Sequence, residues 1–182
     1  MHINDQVLLN FIRRYHLRGH FNLSCGKVAD DYLDLAPVML FPSSLSYIVN
    51  AVRRILNRTD WMYNKIACVE TCPIPLVTAL SREEACSGLV VRKRLKGHGT
   101  NRWIEGYSGG FGNRAVVVED VTSTGASVMH AVDTLRSHGC YVVGVIAVVN
   151  RYEGCNELLE ANDVPFEWVF SIDEVLCNDA ED

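Results

Sequence analysis

With 182 residues, of which 48% are hydrophobic and 21% charged, the chain has apolar material for one sizeable core and too little length for two independent domains. The formal net charge of −5 argues against a general nucleic-acid binder, although a local basic stretch can still hold phosphate. No window approaches the roughly 18–20 apolar residues of a membrane span, and no basic segment followed by an apolar run opens the chain, so a cytoplasmic location is expected.

In chain order, Leu8, Phe11, Ile12 and Tyr15 recur at helical spacing behind Asn4 and Asp5, which suit an N-cap. A second helical pattern runs through Leu45, Ile48, Val49, Val52, Ile55 and Leu56, with Ser43 or Ser44 as its cap. Residues 65–70 read as a strand, 74–81 as a short helix and 88–93 as a strand. Residues 115–119 form a β-branched run. The helix after it has Val128, Ala131, Val132 and Leu135 on its inner face and Gly139 as its stop. Residues 141–149 are continuously apolar, as in a strand buried on both faces. Cys155, Leu158 and Leu159 suggest another helix, and residues 166–170 an outer strand. Strands alternating with helices predict an α/β fold with a mainly parallel sheet flanked by helices, whose ligands bind beyond the carboxyl ends of the strands.

The seven cysteines, Cys25, Cys68, Cys72, Cys86, Cys140, Cys155 and Cys177, are scattered and odd in number. That fits reduced thiols better than a disulfide framework, and no second Cys or His pair follows Cys68 and Cys72 at zinc spacing.

The chemistry concentrates in two stretches. Val116, Val117 and Val118 lead into Glu119 and Asp120, and then into Val121, Thr122, Ser123, Thr124, Gly125, Ala126 and Ser127, where a helix opens. The strand delivers two carboxylates to the sheet edge. The Thr/Ser/Gly turn presents amides and hydroxyls at a helix N-terminus, an anion site. Gly125 lets backbone approach a phosphate closely. Carboxylates beside a phosphate cradle suit a sugar phosphate, whose hydroxyls donate to the acids. A lysine after the glycine, as in a P-loop, is missing, and so is the three-glycine dinucleotide pattern. Taken alone, the run also fits a capped turn with solvated acids.

The second stretch holds Arg92, Lys93, Arg94, Lys96 and His98, followed by Gly106, Gly109, Gly110 and Gly112. A charge run of this kind is usually a solvated face. Cations on so glycine-rich a loop can also close over a site, neutralise a departing pyrophosphate and exclude water.

The run from Val116 to Ser127 resembles the motif with which type I phosphoribosyltransferases bind 5-phosphoribosyl-1-pyrophosphate (PRPP). The string Arg92-Lys93, Lys96, His98-Gly99, then Ile104-Glu105-Gly106, resembles the catalytic loop of the orotate phosphoribosyltransferases. Phe21, Leu23, Ser24, Cys25 and Gly26 with Tyr32 and Asp34 are similar to that family's N-terminal substrate segment. Arg151 after the long apolar strand matches its arginine for the orotate carboxylate, a planar group suited to a guanidinium fork. The likeness spans Phe21 to Phe170. The chain departs from the pattern at Ser24, where many members have Lys, at Cys25 in place of Ser, and at Cys68, Cys72 and Pro73, where Gly is preferred. Asn150 replaces a frequent Asp.

The resemblance implies one phosphoribosyltransferase domain over residues 1–182, with an N-terminal hood over 1–40 and a flexible catalytic loop over 94–114. It implies transfer of the phosphoribosyl group to orotate, giving orotidine 5′-monophosphate and pyrophosphate. Lys96, His98, Glu119 and Asp120 would be catalytic. PRPP would be held by these four with Arg92, Lys93, Val121, Thr122, Ser123, Thr124, Gly125, Ala126 and Ser127. Orotate would meet Ser123, Arg151 and Tyr32. Mg²⁺ would come bound through the substrate, and a homodimer would share its sites. Two alternatives stand beside this reading: a phosphoribosyltransferase for another base, and a non-catalytic PRPP sensor on the same fold.

Overall fold

The computed structural model describes residues 3–22, 28–95, 101–106 and 112–177. Helix α1 (Ile3–Arg13) precedes an antiparallel pair, β1 (His16–Asn22) and β2 (Val28–Leu33). Then come α2 (Ala36–Leu40), α3 (Pro42–Arg58), β3 (Lys65–Val69), α4 (Ile74–Glu83), β4 (Ser87–Val91) and β5 (Ile104–Glu105). The second half is β6 (Arg114–Thr122), α5 (Ala126–Ser137), β7 (Tyr141–Asn150), α6 (Cys155–Glu160), β8 (Phe166–Ser171) and α7 (Ile172–Leu176).

The main sheet has six strands in the order β5-β4-β3-β6-β7-β8, parallel except for β5. Period-2 alternation sorts its side chains to two cores. Ile66 and Cys68 of β3 and Val116 and Val118 of β6 face a core built with α1, α2, α3, α4 and α7. Ala67, Val69, Ala115 and Val117 face the opposite core, closed by α5 and α6. Strand β7 is buried from Val142 to Asn150, in keeping with its unbroken apolar run. Trp61 packs so closely on that strand that a Cβ at Gly144 would lie 2.4 Å from its ring.

The helix starts differ from the sequence expectation. In α3 the cap position is Phe41 and Pro42 opens the helix, where its fixed φ fits and its missing N–H costs nothing. Ser44 lies inside, fully buried, and its hydroxyl donates to the carbonyls of Val38 (2.7 Å) and Phe41 (3.1 Å). Asn4 and Asp5 lie within α1 rather than capping it, and the Asp5 carboxylate pairs with Arg54 of α3. The β1–β2 pair, α2, β5 and α7 were not anticipated.

Candidate active site

The strand order reverses between β3 and β6: β4 lies outside the first, β7 and β8 outside the second. Crossovers leave on opposite faces there, so a crevice opens beyond the carboxyl ends of the two strands. It holds a cavity of about 420 Å³ and, beside it, one of about 260 Å³; Lys93, Glu119, Val121, Ser123 and Ser127 line both.

Glu119 and Asp120 ride the end of β6, where pairing with β7 fixes their direction. Glu119 is buried, and its Oε2 has no hydrogen-bond partner among the described residues. Burial pushes its carboxyl well above the ordinary carboxylate range. The adjacent Asp120 adds to the shift, and Lys93 opposes it. An unpartnered buried carboxyl oxygen lining both cavities needs a hydrogen-bond partner, and a ligand hydroxyl is one.

The turn after β6 is held from below. Asn150 is fully buried at the end of β7. Its amide donates to Asn156 (2.8 Å), and its carbonyl oxygen accepts from the Tyr152 amide (3.0 Å) and the Thr122 hydroxyl (3.4 Å). The Arg151 amide donates to the Thr122 carbonyl (2.9 Å) and the Cys155 amide to that of Ser123 (3.1 Å). Gly125 is the cap residue of α5 at φ +80, and no side chain caps that end. The first amides of α5 are thus left to the smaller cavity, which Thr122, Thr124, Gly125 and Ala126 also line. The need for glycine at 125 has a second source: a Cβ there would sit 3.0 Å from the Cys155 sulfur.

Tyr32 and Arg151 both line the larger cavity. Burial and the charge of Asp120 push the Tyr32 phenol up, and its ring stacks at 5.5 Å on Phe21. Arg151 lies under Asp31 of β2 in a two-pronged ion pair: Nη1 donates to Oδ2 (3.1 Å) and Nη2 to Oδ1 (3.0 Å). Its Nε donates to Glu153 (2.8 Å). The hydrogen bond from Arg151 holds the Asp31 carboxyl below its ordinary value.

Of the cationic stretch, Lys93 reaches both cavities, whereas Arg92 lines neither. The Arg92 guanidinium lies between Glu105 (2.7 Å) and Glu70 (3.3 Å), and Glu70 also accepts from the Lys93 amide (2.9 Å). From α5, the His130 ring bonds the Arg92 carbonyl (2.8 Å), with Trp103 edge-on to it. Lys96 and His98 lie outside the described residues, as do Ser24 and Cys25. Cys72 and Pro73 line the larger cavity. Burial and nearby acids push the Cys72 and Cys68 thiols far up, so both are poor nucleophiles.

Sequence reasoning missed Asp31, Glu70 and the scaffolding role of Asn150. The acid pair Asp30-Asp31 beside Tyr32 was visible, but nothing local joins it to a residue 120 positions away.

The fold and this crevice define a class of enzyme. The sequence profile of the phosphoribosyl transferase domain matches residues 47–174. Orotate phosphoribosyltransferase from Pyrococcus horikoshii is 38% identical over 91% of this chain and 89% of its own. That from a Bradyrhizobium species is 35% identical over 93% and 95%. The crystal structure of orotate phosphoribosyltransferase from Aeropyrum pernix superimposes with a TM-score of 0.80 at 30% identity, covering 96% of both chains. The Mycobacterium tuberculosis enzyme in complex with PRPP gives 0.78 at 28%, covering 94% of this chain and 98% of its own. The chain belongs to the phosphoribosyl transferase family, in its orotate phosphoribosyltransferase branch. An adenine phosphoribosyltransferase from Leishmania donovani also shares the fold, with a TM-score of 0.73 at 14% identity, covering 100% of this chain and 87% of its own. Fold alone therefore does not choose the base.

Proposed function

We infer that the chain is an orotate phosphoribosyltransferase, which joins the phosphoribosyl group of PRPP to orotate and releases pyrophosphate, a step of pyrimidine biosynthesis. The observation that carries this reading is the pair of adjoining cavities that share Glu119 in their walls. One is floored by an uncapped helix N-terminus suited to a phosphate, and the other is walled by Arg151 and Tyr32 and suited to a planar acid.

In this reading the 5′-phosphate sits on the amides and hydroxyls from Thr122 to Ser127. Glu119 and Asp120 accept hydrogen bonds from the ribose hydroxyls. The bond from C1′ to the pyrophosphate oxygen breaks as the bond from C1′ to the orotate ring nitrogen forms, and the proton of that nitrogen passes to solvent water. Positive charge on the sugar grows between these events, and the two carboxylates oppose it. Ser123 and Tyr32 flank the base, and Arg151 grips its carboxylate. Lys96 and His98 of the catalytic loop neutralise the departing pyrophosphate, one of these two by proton donation, and Lys93 adds charge.

Among the described residues, no group of three or more His, Cys, Asp or Glu side chains could hold a metal ion by itself. We read Mg²⁺ as delivered on the substrate, where it would neutralise the diphosphate. We propose a cytoplasmic homodimer with shared sites, because the basic loop is read as reaching the partner's pyrophosphate. No described helix is long and apolar enough to cross a membrane.

Incubation with PRPP and Mg²⁺ and equal amounts of orotate, uracil and adenine tests the base. Orotate alone is expected to be consumed. Depletion of another base would reassign the specificity, and depletion of none would favour a PRPP sensor.

A further inference from the structure

The orotate carboxylate is expected at Arg151, yet a carboxylate is already there. Asp31 takes the two terminal nitrogens of the guanidinium, the edge that a planar acid would use, and Glu153 takes Nε. Asp31 does not depend on Arg151 alone. Its Oδ2 also meets His16 Nε2 of β1 at 2.9 Å, so the carboxylate keeps one anchor if the arginine turns away. Side-chain exposure is 15% for Arg151 and 26% for Asp31. Both line the larger cavity, so the pair is within reach of a ligand there.

We propose that Asp31 sets the affinity of the base subsite: it is a tethered carboxylate that a carboxylated base must displace from Arg151 with a carboxylate of its own. The inference rests on the reading of Arg151 given above. A base with a carboxylate replaces the lost ion pair by an equivalent one, while Asp31 falls back on His16. A base without one has nothing to offer the guanidinium and leaves the pair closed. The exchange makes the protein bind its proper base more weakly than an open arginine would, because the new pair is partly offset by the old. It leaves recognition of uncarboxylated rings unaltered.

The test is steady-state kinetics of Asp31→Asn, with Asp31→Ala as a second variant and thermal melts to confirm folding. The KM for orotate is expected to fall at least threefold in both variants. The KM for PRPP and inhibition by uracil should stay within twofold of wild type. An orotate KM that is unchanged or raised overturns the proposal. So does equal tightening of orotate and uracil, which a general loosening of the hairpin would give. Arg151→Gln separates the two levels. If it leaves the orotate KM at the wild-type value, the assignment of Arg151 fails and the exchange with it. If it raises that KM while the Asp31 variants do not lower theirs, the exchange alone is wrong.

Discussion

Gly125 and Cys155 are in contact across the base of the turn that opens α5: a Cβ on the glycine would lie 3.0 Å from the cysteine sulfur and 3.1 Å from its Cα. The backbone of Cys155 donates to Ser123, so α6 carries the turn from beneath. Gly125 also sits at φ +80, which costs a residue with a Cβ roughly 1–2 kcal/mol.

Gly125→Ala is therefore expected to lower Tm by roughly 2–8 °C, at about 2–4 °C per kcal/mol in a domain of this size. Its KM for PRPP should rise more than its KM for orotate. A thermal melt with kinetics in both substrates checks this. An unchanged PRPP KM would remove the turn from the phosphate site.

Glu119→Gln separates stability from activity. The buried carboxyl titrates above the ordinary carboxylate range, because burial disfavours its charged form. Its native state thus holds an extra proton. This contribution to stability is complete at pH below the unfolded carboxylate pKa and is lost as pH rises from there through the raised folded value. The neutral amide is expected to raise the Tm of the unliganded protein at pH 8 by roughly 2–4 °C, with a smaller gain at pH 4, while turnover falls at least ~100-fold. Melts at both pH values measure it. A lower Tm at pH 8 would mean that the charge is compensated.

For Arg92 the structure and the family resemblance point to different dominant effects. Its guanidinium is only 14% exposed and is flanked by Glu70 and Glu105. Arg92→Ala removes the charged donor that bridges Glu70 and Glu105 and is expected to cost about 2–3 kcal/mol, or roughly 4–12 °C of Tm. The KM for PRPP should change less than threefold. A large rise in that KM with an unchanged Tm would instead make Arg92 a substrate ligand.

Lys96→Ala is expected to lower turnover at least ~100-fold, about 2.7 kcal/mol of transition-state stabilisation, with the melt unaltered. Single-turnover rates decide it, and rates near wild type would reject a role in pyrophosphate departure.

The sequence was most legible where one face or one composition dominates. The β-branched run into Glu119 and the apolar run after Tyr141 became β6 and β7, and Gly139 ends α5 with φ +77. Helix starts were misread because Pro42 sets the entry of α3, while Ser44 looks inward to a carbonyl six residues back. The β1–β2 pair is not legible because its strands are mostly exposed, and β2 alternates in burial without an alternating apolar face. Strand β5 has two residues, too few for any period. Glu119, Asp120 and the turn to Ser127 are contiguous, so the two adjoining cavities they line followed from one strand–helix junction. Asp31 against Arg151, and Glu70 against Arg92, are pairings that only the assembled sheet brings about.

Release of pyrophosphate by the purified protein is the most direct test of a site that grips a phosphoribosyl group while its diphosphate leaves. Stoichiometric pyrophosphate and orotidine 5′-monophosphate are expected when PRPP, orotate and Mg²⁺ are all present, and neither product when any one is omitted. Pyrophosphate at background with all three, from folded protein, would contradict the account.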